Sequence, residues 1–240
     1  MNIGNLFIGI GEKYFSLYHD FKESFDKNFL PNHNIHYFII TDNEYGYELH
    51  EDETRIIIEN EGWPFITLKR FEYFLKCDTE GMDYLFFFNG NAICQHQVND
   101  EDVIPLREDN WLCGLFMSYN IRSTNPFDKN PKSACYFNKN DMECFRGGFL
   151  GGRRKEFLEL CENCVEMIEQ DLGINYIPKW NDEAYFNNYV YSLNIKKVRN
   201  NIMSYCNLPH IKTKILFVDK RKIFGREFLM KLKGKYYYNN

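Results

Sequence analysis

A chain of 240 residues that is 44% hydrophobic and 18% aromatic can bury a sizeable α/β core, which excludes a disordered or low-complexity protein. The net charge of −5 is unevenly placed: residues 210–240 carry nine Lys/Arg against two acids, a net +7, and the rest carries −12. An acidic body without a recognised nucleic-acid motif argues against nucleic acid as a partner and points the basic tail at a smaller anion.

No apolar run reaches the roughly 18 residues of a membrane span, so no transmembrane segment is expected. The first residues, MNIGNLFIGIGEKYF, lack the basic flank and small-residue cleavage site of a signal peptide. Of eight cysteines only Cys161 and Cys164 form a C-x-x-C pair, with no second ligand pair to complete a zinc site. They read as reduced, buried thiols, and the localisation expected is cytoplasmic.

In chain order, Asn5–Ile10 reads as a strand, and Tyr14, Tyr18, Phe21, Phe25 and Phe29 then recur at helical spacing. Ile35–Thr41 is a fully apolar strand ending at Asp42, and Arg55–Glu59 is a third. Trp63–Lys76 reads as a turn entering a helix, with Pro64 near its start. Tyr84–Phe88 is another continuous apolar run, stopping at Asn89-Gly90-Asn91. Beyond residue 92 the pattern is irregular until a helix at Arg153–Leu172, on which Phe157, Cys161, Cys164, Val165 and Ile168 share one face. Strands apolar on both faces, alternating with helices, predict a single α/β domain with a mostly parallel central sheet. Ligands of such sheets bind outside the carboxyl ends of the strands, where Asp42 and the 89–91 turn fall.

Three constellations carry chemistry. Many enzymes that use sugar nucleotides place Asp-x-Asp after such a strand to hold a divalent cation on the diphosphate. Asn89 and Asn91 are neutral and suit hydrogen bonding to phosphate or hydroxyl oxygens instead; alone, the same residues are an ordinary Asn-Gly turn. A departing nucleotide diphosphate still needs positive charge, which the lysine-rich tail could supply. Trp180-Asn181-Asp182-Glu183 pairs two carboxylates with an aromatic ring, which suits a site that stabilises an oxocarbenium-like transition state, and equally reads as a helix start capped by Asn181. Arg146-Gly147-Gly148-Phe149-Leu150-Gly151-Gly152 reads as a glycine-rich turn where backbone approaches something closely.

Taken in register, IHYFIITD (35–42), GWPFITLKRFEYFL (62–75), DYLFFFNGN (83–91), GGFLGG (147–152) and WNDEAYFNNY (180–189), with the Tyr14 helix, resemble glycosyltransferase family 6. This is the family of the ABO blood-group and α1,3-galactosyl transferases, and the short bacterial members are the nearest in pattern. The resemblance implies a GT-A (Rossmann-like) nucleotide-sugar transferase fold. It also implies α-retaining transfer of N-acetylgalactosamine, the preferred donor sugar here, or galactose from UDP to an oligosaccharide. Asn-x-Asn in place of Asp-x-Asp implies that no metal cofactor is used. On the donor side it implies Tyr14 and Asp42 near the uridine, and Arg70 between the donor sugar and the Asn89–Asn91 turn. Gly147 and Gly148 would leave room at the sugar's C2 substituent, Asp182 would contact the sugar, and Lys220 and Lys231 would lie in the C-terminal segment. Residues 1–209 would then form the catalytic domain, and 210–240 a basic segment closing over the diphosphate. Glu183 would be the central catalytic residue, with Trp180, Asn181 and Tyr119 on the acceptor side.

The chain departs from the family pattern on that acceptor side. Leu115-Phe116-Met117-Ser118-Tyr119 stands where an acceptor-binding His is usual, Asn181 replaces another His, and Arg146 precedes the glycine pair. A fucosylated galactoside, used by some relatives, is one candidate acceptor. The same departures motivate an alternative reading, a catalytically inactive protein that binds sugar nucleotides or glycans on the same scaffold.

Overall fold

The N-terminal apolar runs become the middle of a sheet because each is covered on both faces. The computed structural model describes residues 1–105, 111–118, 126–138, 143–205 and 212–233. In it β1 (Asn2–Gly9), β2 (Asn34–Thr41), β3 (Glu53–Ile57) and β4 (Tyr84–Phe88) run parallel in the order β3-β2-β1-β4. All five residues of β4 are buried. Its side chains alternate between two cores, Phe86 and Phe88 on one face, Leu85 and Phe87 on the other.

The predicted first helix is two pieces, α1 (Glu12–Phe15) and α2 (Tyr18–Asn28). Its aromatic stripe is core: Phe21 and Phe25 stack with ring centres 4.2 Å apart, and Phe25 meets Phe88 edge-on at 4.7 Å. Each such ring contributes about 2–3 kcal/mol by leaving water. The stretch read as one helix over Trp63–Lys76 is likewise divided, into α3 (Phe65–Leu68) and α4 (Arg70–Leu75).

The region that looked irregular holds the rest of the sheet, including its one antiparallel strand among those described. After β5 (Ala92–Cys94) and α5 (Asp100–Val103) come β6 (Leu112–Ser118) and β7 (Glu143–Arg153). β7 lies antiparallel between β4 and β6, so the glycine-rich stretch is strand interior and not a turn. Its glycines hide the periodicity while serving close packing. A Cβ on Gly151 would overlap the Phe86 ring, and one on Gly152 would strike the Trp111 carbonyl.

The long helix α6 (Arg154–Gly173) follows where predicted, then α7 (Asp182–Val190) and β8 (Lys196–Val198), which pairs with β6 to complete the order β3-β2-β1-β4-β7-β6-β8. This seven-stranded, mostly parallel sheet with helices on both faces is the GT-A, Rossmann-like arrangement. Helices α4, α6 and α7 cover one face, with Cys161 and Cys164 in that core as free thiols. The seven cysteines among the described residues are all buried.

A second sheet joins β5 to β9 (Met203–Ser204) and β10 (Ile215–Phe217), followed by α8 (Lys220–Phe224) and α9 (Arg226–Lys233). Ile215 and Phe217 are fully buried, so residues 210–240 begin as core; α8 and α9 hold no buried side chain among those described. Among the described residues no helix is long and apolar enough to cross a membrane.

Candidate active site

A cavity of about 500 Å³ opens at the carboxyl ends of β1 and β4, within the size range of small-molecule sites. Its walls include Tyr14, Arg70, Asn89, Gly147 and Lys220, and the run Trp180 to Glu183 that enters α7. Nine of the thirteen expected donor and acceptor residues and Glu183 thus meet or flank one space, from six segments of the chain, if Gly148 is counted through Asn89: the amide of Asn89 donates to the Gly148 carbonyl at 2.9 Å.

The β1 end is shaped by Asp42. Its carboxylate accepts hydrogen bonds from the Gly11 amide (2.8 Å), the Tyr45 hydroxyl (2.8 Å) and Asn60 (2.9 Å). Burial works to raise its pKa, but these donors outweigh it and hold the carboxyl below its ordinary value. Gly11 has φ 80, a left-handed turn that suits glycine and carries the chain into α1 and Tyr14. Asp42 therefore fixes the turn and does not itself line the cavity.

Tyr14 is where the C-terminal segment docks. Its ring lies 4.8 Å from that of Phe224, with the Lys220 ammonium 5.3 Å from its centre. Of the nine basic residues in 210–240, Lys220 alone among those described lines the cavity. Lys214 pairs with Asp102 at 2.6 Å, Arg221 pairs with Asp219, and Lys231 is exposed on α9 away from the cavity. Among the described residues the expected cationic tail thus brings one lysine to the site, joined by Lys179 from the α6–α7 loop.

Asn89 and Asn91 divide their work. Asn89 faces the cavity. Asn91 is buried and donates its carboxamide N–H to the Val218 carbonyl at 2.6 Å, while its own carbonyl accepts from the Val218 amide at 2.9 Å. It staples the start of the C-terminal helices to the end of β4. Its carboxamide oxygen is buried without a hydrogen-bond partner.

The carboxylate pair sits at the start of α7. Asp182 is 3% exposed and forms an ion pair with Arg70 at 2.9 Å. Burial pushes the Asp182 carboxyl up to about 7, with Arg70 pulling it down and the charge of Glu183 adding to the rise. Arg70 also donates to the Gly147 carbonyl and lies over the Phe87 ring, 4.9 Å from its centre. Glu183 accepts from the Gly147 amide at 2.9 Å and meets Arg146 at 3.3 Å. Asn181 holds the position before α7, yet its side chain makes no capping bond. Its φ of 45 is a left-handed conformation, strained but more tolerable for Asn than for most residues.

The glycine pair serves the protein's own side chains. A Cβ on Gly147 would stand 2.8 Å from the Glu183 Cγ and 2.9 Å from an Asp182 oxygen, and one on Gly148 would overlap the Tyr205 hydroxyl. Gly147 lines the cavity, and Glu183, Asp182 and Tyr205 border the space that the glycine pair leaves. Tyr119 lies outside the described residues.

Two contacts of Arg146 and two rings escaped the sequence reading. Arg146 stood out there only as a departure, but it pairs with Glu183 and lies 5.9 Å from the Trp180 ring centre. Trp63 also lines the cavity. Tyr205 stacks on Phe217 at 4.7 Å. No spacing rule links these positions, which meet only through the sheet.

The family model of glycosyltransferase family 6 matches residues 1–213. The chain belongs to this family. The O-antigen biosynthesis glycosyltransferase WbnI of Escherichia coli is 29% identical over 200 residues, 80% of this chain and 82% of the relative. Human globoside α-1,3-N-acetylgalactosaminyltransferase 1 is 23% identical over 211 residues, 82% of this chain and 59% of the relative. The protein is thus a glycosyltransferase, whose substrates are a nucleotide-sugar donor and a carbohydrate acceptor, and the cavity is the candidate site where they meet.

Proposed function

We propose that the enzyme transfers N-acetylgalactosamine or galactose from its UDP-sugar to an oligosaccharide, with retention of the α configuration and without a metal ion. The observation that carries this reading is the carboxylate pair: Asp182 held by Arg70 and Glu183 held by the Gly147 amide, in one cavity with Asn89 and Lys220. The uridine would lie toward Tyr14 and the diphosphate between Lys220 and Asn89, where cation and amide stabilise the charge that grows as the glycosidic bond breaks. Glu183 would face the anomeric carbon, as nucleophile or as stabiliser of an oxocarbenium-like centre. Trp180 and Asn181 would meet the acceptor, and α8 would close over the donor and exclude water.

The donor set bears on the metal. The carboxylates lining the cavity among the described residues are Asp182 and Glu183, both engaged by arginines, and the 89–91 turn offers only neutral amides. A group of side chains that could hold a cation, His19, Asp20 and Glu23, is exposed on α2 and does not line the cavity. These residues fit a metal-free diphosphate site better than a cation site.

Between the two donors, the glycine pair and the human relative's name favour N-acetylgalactosamine. The Tyr205 hydroxyl over Gly148 favours the smaller C2 substituent of galactose. A panel of UDP-sugars against glycan acceptors, with and without chelator, tests donor and metal together. Turnover unaffected by EDTA and lowered at least about 100-fold in Glu183→Gln is expected. Activity abolished by chelator would end the metal-free reading, and a fully active Glu183→Gln would end the assignment of Glu183.

A further inference from the structure

The reaction floor is the edge of β7 that β4 leaves uncovered, and side chains continue the ladder there. β4 pairs with β7 as far as Phe88 opposite Phe149, and the Asn89 amide adds one bond to the Gly148 carbonyl. Beyond that point no strand among the described residues pairs with this edge. Arg70 takes the Gly147 carbonyl, Glu183 takes the Gly147 amide, and Asn187 takes both polar groups of Phe145.

Asn187 is 1% exposed and all of its polar atoms are used. Its oxygen accepts from the Phe145 amide at 2.7 Å, and its nitrogen donates to the Phe145 carbonyl at 2.9 Å. A carboxamide has the same donor and acceptor as a peptide group, so Asn187 acts as one rung of a missing strand. The same nitrogen donates to the Glu183 carbonyl at 2.8 Å, one turn back along α7. A single side chain therefore fixes both the backbone two residues before Gly147 and the backbone of Glu183.

We propose that Asn187 is a positioning residue for Glu183: it sets the register of α7 on β7, so that the Glu183 carboxylate meets the Gly147 amide and points into the cavity. The inference rests on the reading of Glu183 as the central catalytic residue. Asn187 does not line the cavity and touches neither substrate. Its loss would let α7 shift along β7, and a displacement of about 1 Å at a reacting group can cost about 100-fold in rate.

The test uses the full-length enzyme, turnover of UDP-galactose or UDP-N-acetylgalactosamine, and UDP binding by calorimetry. Asn187→Ala is expected to lower kcat about 30- to 100-fold with the UDP Kd changed less than about twofold. Adding Glu183→Gln to that variant should cost little beyond Glu183→Gln alone, because both changes remove one function. An inactive Glu183→Gln beside a fully active Asn187→Ala overturns this inference and leaves the catalytic reading standing. A fully active Glu183→Gln overturns both. Losses that multiply in the double variant also overturn the positioning role. If Asn187→Ala does not fold, Asn187→Asp decides the matter. Its carboxylate keeps the acceptor for the Phe145 amide but sets a negative charge against the carbonyls of Phe145 and Glu183, and protonation relieves that clash. Its kcat relative to wild type should rise as pH falls from 8 to 5.5; a ratio independent of pH overturns the proposal.

Discussion

Replacing Asp182 by Asn should change how stability depends on pH, and the size of the change follows from the site. The carboxyl is buried against α6 and the Gly147 edge, and Arg70 at 2.9 Å offsets only part of the cost of its charge, so it titrates at about 7. An unfolded chain releases that proton at the ordinary aspartate value of 3.8. The folded state therefore holds the proton more tightly. Stability from this group is complete below the unfolded pKa and is lost as pH rises through the folded one. At 1.36 kcal/mol per pH unit, the penalty grows by about 3 kcal/mol between pH 5 and pH 8. Asp182→Asn removes the titration but leaves Arg70 without its ionised partner, a constant offset of several kcal/mol at most. The difference in stability between variant and wild type should thus shift in the variant's favour by about 3 kcal/mol over this range, whatever its sign at pH 5. Urea unfolding of both proteins at unit pH steps measures it. A difference that stays flat with pH would mean that Asp182 is ionised throughout, and would refute the claim that burial outweighs Arg70.

Other changes probe the same walls. Gly147→Ala should leave the sheet folded but lower kcat at least about 10-fold, because its methyl group stands against Glu183 and Asp182; steady-state kinetics would show it. Gly148→Ala should instead displace Tyr205, read as a changed preference between UDP-galactose and UDP-N-acetylgalactosamine. Lys220→Ala should weaken UDP binding about 10-fold, with a smaller salt dependence in calorimetry than wild type. Asn91→Asp loses the donor to the Val218 carbonyl, so proteolysis after residue 218 should accelerate while turnover stays independent of added Mn²⁺.

What the sequence revealed followed from how much of each element's environment is local. β1, β2 and β4 are apolar on both faces, so unbroken runs such as YLFFF announce them without reference to anything distant. β7 is equally central, but its closeness to Phe86 and to the Trp111 backbone demands Gly151 and Gly152, and glycine reads as a turn when its neighbour is unseen. The division at Lys69 matters for the same reason: Arg70 begins a new helix, and its guanidinium crosses to β7 and α7, a contact no periodicity encodes. Family resemblance placed Glu183, Asp182 and Arg70 in one site. It could not show that Asp42 acts through Gly11, that Lys231 lies away from the cavity, or that Arg146 joins the carboxylates.

The neutral residues of the 89–91 turn have a positive structural use. A carboxylate accepts hydrogen bonds only, whereas the Asn91 carboxamide donates to Val218 and so ties the chain before Lys220 to the end of β4. That tie fixes where β10 ends and α8 begins, and α8 presents Lys220 to the cavity beside Tyr14. Under the metal-free reading proposed above, a neutral residue here and a cation on the other side of the donor would then be one feature and not two. On that reading, the amide that would hold no metal also ties down the chain that presents the lysine. A divalent ion needs anionic ligands fixed before it arrives, while an ammonium needs only its backbone fixed, because its charge travels with the side chain. On the same reading Lys220, at a helix start that packs against the aromatic wall of the cavity, would join Lys179 in answering the diphosphate.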